Sequence, residues 1–229
     1  IEASRIALKY MTPVLMLTDG YIANGAEPWK LPNIEDLPKL QTKLRTDPEG
    51  FMPYLRDEDL ARPWAVPGTP GLEHRIGGLE KANITGTVSY DPDNHDLMCK
   101  LRDKKIKGIQ KDIPNIEVKG DEDADIIVVG WGGTYGAISE AVRRVRAGGV
   151  KVAQIHIKYL NPFPANLGDI LRKYKHILIP EINLGQLAKV IKSEYSVKVI
   201  QFNLMRGLPF KAHDIENKIR EILGGENGK

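Results

Sequence analysis

The sequence predicts an α/β fold, with a doubly wound parallel sheet at residues 121–229 behind an irregular arm. Two observations support this prediction. A strand, a glycine turn, a helix and a second strand follow one another over residues 125–157. Short apolar runs then alternate with amphipathic segments as far as residue 223. Such alternation is typical of a parallel sheet with helices on both faces.

The first strand of this sheet is predicted at residues 126–129, where four consecutive β-branched residues suit a strand buried on both faces. After the glycine turn, apolar side chains recur at the spacing of a helix, at Ile138, Ala141, Val142 and Val145. Gly148 and Gly149 end that helix, and residues 150–157 form the next strand. We expect the two strands to be parallel, joined by a right-handed crossover.

The remaining elements of the domain follow the same alternation. The sequence predicts helices at 165–174, 185–192 and 214–223, and strands at 176–180 and 197–202.

The N-terminal segment, residues 1–30, is predicted to hold one helix and one strand. Residues 1–10 suit a helix that ends before Pro13, and residues 14–18 suit a short apolar strand. One helix and one strand cannot make a sheet. This segment therefore attaches to the later domain, or it is the remnant of a domain whose other strands are missing.

Residues 31–120 are predicted to form an extended arm and a linker helix. Prolines are scattered here without a sustained period, and residues 63–71 can be neither helix nor central strand. Aromatic residues make the segment too apolar for a free linker. It is a long packed connection or an arm that reaches a neighbouring site. A helix begins at Asp91 and Pro92, and its basic side is a solvated face or binds an anion or an acidic partner.

Composition excludes several classes of function. The 33 basic and 30 acidic residues give a net charge of +3, too weak a balance to indicate nucleic acid. Cys99 is the single cysteine, which excludes an internal disulfide and a metal site built from cysteines of this chain. It also fits a reducing, cytoplasmic compartment. No apolar run approaches the ~20 residues that span a membrane. The chain begins without methionine, so we expect it to be cut from a longer polypeptide.

The glycine turn resembles a dinucleotide-binding fingerprint only in part. Gly130, Gly132 and Gly136 approximate the spacing, but the last glycine is one residue late. Trp131 would crowd a pyrophosphate, and the second strand ends without the acid that binds a ribose. Two interpretations are favoured: the segment is a structural turn, or Trp131 and Tyr135 make a contact with another subunit. Dinucleotide binding remains a less favoured alternative.

Other polar residues are weaker candidates. His156 lies among apolar neighbours and suits a packed side chain. Glu181 follows a strand at its carboxyl end, where ligands of open α/β sheets bind, but it has no visible partner. In the arm, Glu73, His74, Arg75, Glu80 and Lys81 lie among glycines, which let a backbone approach a ligand. A polar surface loop is the alternative there.

Several motifs resemble a known family. The N-terminal motifs are 18–25 (TDGYIANG), 27–29 (EPW), 67–80 (PGTPGLEHRIGGLE) and 90–95 (YDPDNH); those of the later domain are 133–138 (GTYGAI), 160–164 (LNPFP), 180–187 (PEINLGQL) and 207–210 (GLPF). In order, they resemble α subunits of 2-oxoacid:ferredoxin oxidoreductases of the 2-oxoglutarate type. The later domain is similar to the last domain of transketolase, and residues 1–30 resemble the end of a pyrimidine-type thiamine domain.

The resemblance implies a multisubunit enzyme that oxidatively decarboxylates a 2-oxoacid on thiamine diphosphate and Mg²⁺. It forms an acyl-coenzyme A and passes electrons through an iron–sulfur cluster to ferredoxin. The β subunit of such enzymes holds most of the cofactor contacts, so we expect this chain alone to bind none and to be inactive. The family's N-terminal γ-type domain and most of its thiamine domain have no counterpart here, which predicts a C-terminal fragment.

The resemblance assigns no catalytic residue and no metal ligand to this chain. From their place in the arm and at the exit of the N-terminal strand, Asn24, His74, Glu80 and Lys81 are predicted to face the substrate. The partners implied are the β subunit, ferredoxin and coenzyme A, with no nucleic acid and no membrane. The alternative is a non-catalytic α/β module that assembles subunits.

Overall fold

The computed structural model describes residues 1–40 and 42–225, which form two compact units. The arm unit comprises Ile1–Met16 and Pro28–Asp112. The sheet unit comprises Leu17–Glu27 and the described part of Ile113–Lys229. Residues 1–16 thus group with the arm, whereas the sequence placed them in one segment with residues 17–30. The three predicted domains, 1–30, 31–120 and 121–229, stay predictions as evolutionary units.

The secondary structure is as follows. The α-helices are α1 (Glu2–Tyr10), α2 (Gly20–Ala23), α3 (Pro92–Gly108), α4 (Tyr135–Ala147), α5 (Leu167–Arg172), α6 (Gln186–Tyr195) and α7 (Ala212–Gly224). The strands are β1 (Leu44–Arg45), β2 (Trp64–Ala65), β3 (Lys119–Gly120), β4 (Ile126–Trp131), β5 (Ala153–Ile157), β6 (His176–Glu181) and β7 (Ile200–Asn203).

The sheet unit is built on five strands in the order β3-β5-β4-β6-β7. The β4–β5, β4–β6 and β6–β7 pairs are parallel, which confirms the predicted parallel sheet. The edge strand β3 runs antiparallel to β5 and was not predicted, because two residues are too short to show a period. The chain crosses from β4 to β5 on one side and returns past β4 to β6 on the other, which makes the sheet doubly wound.

Helices cover both faces of this sheet, as predicted. On one face, α5 and α6 pack through Leu167, Leu171, Leu187 and Ile191. On the other face, α4 and α7 pack through Val142, Val145, Ile215 and Ile219. Residues 126–129 of β4 are fully buried between the two layers. Burial of each such aliphatic side chain contributes about 1.5–3 kcal/mol, so the central strand adds to the stability of both layers.

The arm unit is largely irregular, in agreement with its aperiodic sequence. Its two short strands, β1 and β2, form one parallel pair. The helix α3 begins where the sequence predicts, since the Asp91 side chain accepts a hydrogen bond from the Asp93 amide and Pro92 occupies the first turn. Polar links hold other segments in place, and one of them joins the Trp64 indole to the carbonyl of Leu8 at 2.8 Å.

The predicted strand at 14–18 is wrong. These residues form neither strand nor helix, and Leu15 and Met16 are 86% and 75% exposed. An apolar run becomes a strand only where a neighbouring strand offers hydrogen-bond partners, and no strand of the described ranges pairs with it. Instead, Asp19 caps the short helix α2 by accepting a hydrogen bond from the Tyr21 amide at 2.8 Å.

Candidate functional site

The carboxyl ends of the parallel strands define the candidate site, because ligands of open α/β sheets bind where the strand order reverses. In this sheet the reversal lies between β4 and β6. Their pairing ends at Val128 and Leu178, three residues before either strand ends, so a crevice opens between Trp131 and Glu181. We call the rim formed by the ends of β4, β5, β6 and β7 the carboxyl edge.

Side chains of the protein itself fill this crevice. Glu181 is fully buried, and its Oε1 lies 3.3 Å from the Trp131 indole nitrogen, which donates to it. The Nδ2 of Asn183 donates to the same oxygen at 3.1 Å. The indole that the sequence predicted to crowd a pyrophosphate therefore occupies the place where a ligand of this fold would lie.

Glu181 also closes the N-terminus of α6. Its two carboxylate oxygens accept from the Leu187 amide at 2.9 Å and the Ala188 amide at 3.0 Å. Asn183 accepts from the amides of Gly185 and Gln186 at 2.7 and 3.0 Å. A helix N-terminus attracts anions through its free amides and its dipole. Here an internal carboxylate satisfies both, so Glu181 stabilises the fold and leaves no phosphate site at α6.

The glycine turn between β4 and α4 is shaped by close packing. A β-carbon at Gly130 would lie 2.6 Å from Cδ1 of Ile138, and one at Gly133 would lie 2.8 Å from the carboxylate of Asp19. Thr134 closes the turn, since its hydroxyl donates to the Trp131 carbonyl at 2.8 Å. A larger residue at either position would have to displace a neighbouring side chain. This favours the structural turn over the dinucleotide fingerprint.

His156 lies near the end of β5 beside an aromatic side chain. Its ring packs edge-on against Tyr135 at 5.1 Å between centroids, and its buried Nδ1 has no hydrogen-bond partner in the described part of the chain. Burial lowers the pKa of His156, and Lys158 and Lys119 lower it further. The imidazole is therefore neutral near pH 7, in agreement with the predicted packed histidine.

Exposed apolar side chains surround the carboxyl edge. Leu184 follows β6, and Met205 and Leu208 follow β7; each is more than 60% exposed. Tyr135, at the start of α4, is 44% exposed. Loops that follow parallel strands lie at the same edge of a sheet, so these side chains share one rim. Apolar patches of this kind on a polar surface mark interaction sites.

The four residues predicted to face the substrate are placed as follows. In the sheet unit, Asn24 ends α2 and is exposed, with its Nδ2 donating to the Gly20 carbonyl at 2.7 Å. In the arm unit, His74 bonds through Nδ1 to the Leu72 carbonyl at 2.8 Å and packs against Phe51.

The other two predicted residues are bound within the arm unit. Lys81 is 2% exposed, and its ammonium donates to the carbonyls of Gly77 and Leu79. Glu80 pairs with His95 at 2.7 Å and with Arg102 at 3.3 Å. Hydrogen bonding to Arg102 is the largest cause that lowers the pKa of Glu80. The structure thus brings Glu80 together with two residues that the sequence did not single out.

Sequence reasoning missed the roles of Asn183, Asp19 and Thr134 around the crevice. The role of Asn183 could have been recognised from the neighbouring sequence. An Asn or Asp two positions before a glycine that precedes a helix is typical of a helix start. The signal for Asp19 was absent, because its contact with Gly133 joins positions far apart in the sequence.

The cofactors that the resemblance implies do not fit these residues. An iron–sulfur cluster needs about four cysteine thiolates, and the chain has one cysteine. Within residues 1–40 and 42–225, no group of three or more His, Cys, Asp or Glu side chains could hold a metal ion. In the crevice of the sheet unit, the Trp131 indole and the amides of Leu187 and Ala188 all donate to Glu181, so these donors are not offered to a diphosphate. Among the helices described, none has the length and apolarity to cross a membrane.

The fold defines a class, an α/β domain with a doubly wound parallel sheet whose crevice is occupied by its own side chains. Comparison with known proteins gives the relatives of the chain. Residues 124–217 match the family described as pyruvate:ferredoxin oxidoreductase core domain II. Over 98% of its length the chain is 52% identical to the 2-oxoglutarate oxidoreductase subunit KorA of Mycobacterium tuberculosis. It is 30% identical to subunit alpha of 2-oxoacid:ferredoxin oxidoreductase 1 of Aeropyrum pernix over its whole length.

A solved structure agrees with these sequence matches. The 2-oxoglutarate:ferredoxin oxidoreductase of Magnetococcus marinus covers 95% of this chain at a TM-score of 0.88 and 34% identity. The chain spans 34% and 37% of the two curated relatives and 38% of the solved chain. Together the comparisons confirm the resemblance to α subunits of 2-oxoacid:ferredoxin oxidoreductases.

Proposed function

We propose that the chain acts as part of the α subunit of a thiamine-diphosphate-dependent 2-oxoacid:ferredoxin oxidoreductase. That enzyme converts 2-oxoglutarate, or a related 2-oxoacid, to an acyl-coenzyme A and reduces ferredoxin in the cytoplasm. The observation that carries the proposal is the 52% identity to the mycobacterial KorA subunit over 98% of the chain. The Magnetococcus structure, described with 2-oxoglutarate, coenzyme A and succinyl-CoA bound, supports 2-oxoglutarate as the substrate.

In this proposal the chain leaves the cofactors to a partner subunit. Thiamine diphosphate, Mg²⁺ and the iron–sulfur cluster are held mainly by the β subunit. The single cysteine and the filled crevice support this division. The chain purified alone should contain no stoichiometric iron and should not reduce a viologen dye with 2-oxoglutarate and coenzyme A. Dye reduction should appear when the complete α subunit and the β subunit are combined. Iron or 2-oxoacid-dependent reduction in the chain alone would contradict this division.

The carboxyl edge then serves as the docking surface for the β subunit. Its exposed apolar side chains suit a partner that stays bound in a permanent complex. Replacement of Leu184 and Met205 by glutamate should abolish co-purification with the β subunit. Val190→Glu is the matched control, because Val190 is 50% exposed on α6 and not on a loop of the rim. Equal binding by both variants would exclude the rim as the docking surface.

The filled crevice also favours a second function, a non-catalytic module that only assembles subunits. The two proposals differ in whether Asn24 of the sheet unit and His74, Glu80 and Lys81 of the arm unit face the substrate, as they do only in the enzymatic one. The Lys81 ammonium binds two carbonyls, so it would act on the substrate by holding the loop at 77–81 in shape.

Kinetics of Lys81→Met in the assembled enzyme separate these two roles. A substrate-facing loop should lower kcat/KM for 2-oxoglutarate by about tenfold or more while pyruvate is affected less, as expected when a charge-assisted contact is lost. Arg75→Met, an exposed cation of the same segment, is the matched control. Small and equal effects on both substrates would show that the arm only packs.

A further inference from the structure

Four side chains of the arm unit form a cluster that the proposed function does not explain. His95, Cys99 and Arg102 lie on one face of α3, at the i, i+4, i+7 spacing that brings helical side chains together. Glu80 reaches them from the preceding loop. The Cys99 sulfur lies 3.6 Å from Nε2 of His95, and Nδ1 of the same ring lies 2.7 Å from the Glu80 carboxylate. Arg102 donates to the Cys99 sulfur at 3.1 Å.

This arrangement has the order of a nucleophile, a base and an orienting acid. A carboxylate bound to Nδ1 holds that nitrogen as the donor, so Nε2 is left to accept the thiol proton. Hydrogen bonding to Arg102, and then to His95, lowers the pKa of Glu80, so this carboxylate stays charged near neutral pH. Arg102 in turn stabilises negative charge on the sulfur.

The surroundings of the cluster are positively charged. Arg56 and Arg62 lie over the Tyr54 ring at 5.7 and 4.4 Å, and the Lys105 ammonium donates to the Met11 carbonyl at 3.0 Å. Among the described residues, none of these three cations contacts a carboxylate. Burial, followed by repulsion from Arg62, lowers the pKa of Lys105, and both it and Arg56 are also repelled by Arg102. The positive field thus extends to the cluster.

We propose that Cys99 is a site of reversible mixed-disulfide formation with small anionic disulfides. The Cys99 proton passes to Nε2 of His95, and the thiolate attacks one sulfur of the disulfide. A new sulfur–sulfur bond forms at Cys99 as the bond of the reagent breaks, and the second sulfur leaves as a thiolate that takes the proton from His95. The number of sulfur–sulfur bonds is unchanged, since Cys99 is oxidised as one sulfur of the reagent is reduced, so no oxidant other than the disulfide reagent is needed. Electropositive, partly exposed thiols of this kind are the reactive ones in proteins.

The test compares two disulfide reagents of opposite charge on the intact protein. Oxidised glutathione is anionic and cystamine is cationic. The rate of modification is followed by mass spectrometry of the peptide that contains Cys99, so other thiols do not interfere. Arg62→Gln removes one charge without touching the sulfur. It should slow glutathionylation about twofold to fourfold and speed the reaction with cystamine, as expected for the loss of one charge that acts through water.

Further variants test the base. His95→Gln removes the acceptor of the thiol proton, so it should slow the reaction of Cys99 with both reagents by about tenfold or more. The His95 side chain is 63% exposed, so this substitution should leave the fold intact. Lys104→Gln, the same charge change on another face of α3, is the control and should change neither rate. Equal rates for the wild-type protein and His95→Gln, or equal responses of both reagents to Arg62→Gln, would overturn the proposal.

Discussion

The sheet unit and the arm unit of the chain are held together by different interactions. In the sheet unit, fully buried aliphatic side chains of β4 lie between two layers of helices. In the arm unit, few apolar side chains are buried: Ile6, Tyr10, Ala61, Leu72, Met98 and Ile109. Its segments are joined instead by polar side chains that bind distant backbone and charged groups. Asp112 is the main example, since it accepts from Arg5 at 2.8 Å, from Lys9 at 3.0 Å and from Tyr10 at 3.1 Å.

This difference predicts which substitutions should destabilise each unit. Apolar burial is spread over many side chains, so the sheet unit depends on no single one of them except where a buried polar group must be satisfied. The arm unit depends on individual hydrogen bonds and ion pairs. It should therefore respond to substitutions of partly exposed polar side chains and to pH, whereas the sheet unit should respond only where a polar group is buried. Four substitutions test this comparison, from the largest expected effect to the smallest.

The largest effect is expected for Glu181→Ala in the sheet unit. The change leaves the buried amides of Leu187 and Ala188 without acceptors, and each unsatisfied amide costs ~1–3 kcal/mol, so we expect a loss of about 3 kcal/mol. Urea unfolding measures the loss, and hydrogen exchange at these two amides locates it. Glu194→Ala, an exposed glutamate of the same helix, should change stability by less than about 0.5 kcal/mol. A loss below about 1 kcal/mol at Glu181 would show that the buried carboxylate is not needed by the fold.

The next prediction compares Gly130, which precedes the turn after β4, with Gly136, which lies in the first turn of α4. Gly130→Ala should destabilise by about 1–3 kcal/mol, because the added β-carbon would lie 2.6 Å from Cδ1 of Ile138 in a packed core. Gly136→Ala meets no atom within 4 Å on α4 and should stabilise by about 0.5 kcal/mol. Thermal unfolding gives both signs. If both substitutions destabilised equally, the turn would be constrained by something other than packing.

A smaller effect, with a pH dependence, is expected for Asp112→Asn in the arm unit. Burial alone would raise the pKa of Asp112, but hydrogen bonds from Arg5, Lys9 and Tyr10 together lower it below the ordinary 3.8. A lowered pKa in the folded state means that the carboxylate stabilises the fold above pH 3.8, and that this contribution is lost as the pH falls through the lower folded value.

We therefore expect Asp112→Asn to cost about 1–2 kcal/mol near pH 7, discounted for the partial exposure of the pair. The difference from the wild-type protein should close as the pH falls below 3.8. Urea unfolding over this pH range measures it. Asp103→Asn is the control, since Asp103 is an exposed partner of Lys107 on α3 and should show no such dependence. A difference that persisted at low pH would mean that the ion pairs are not its source.

The same comparison explains what the sequence could predict. The spacing of apolar residues is a local property of the sequence. The strand at residues 126–129 and the helix that contains Ile138 and Val145 could therefore be predicted. The cap at Asp91 was also local. Asp112 could not be recognised, because its partners lie 102 to 107 positions away. Glu181 was predicted only as an isolated acid after a strand, although three of its four partners lie within seven positions of it; the fourth, Trp131, lies 50 positions away.

The smallest effect on stability is expected for Trp131→Phe. This substitution tests whether the indole closes the crevice by its hydrogen bond or by apolar contact. The indole nitrogen lies 3.3 Å from the Glu181 carboxylate, near the long limit of a hydrogen bond, while most of the ring is kept by phenylalanine. We therefore expect a loss of about 0.5–1 kcal/mol. A double-mutant cycle with Glu181→Gln measures the coupling between the two side chains by urea unfolding. A coupling close to the single loss would assign the cost to this hydrogen bond. Absence of coupling would mean that the indole closes the crevice by apolar contact alone, and that the sheet unit depends on polar links only through Glu181.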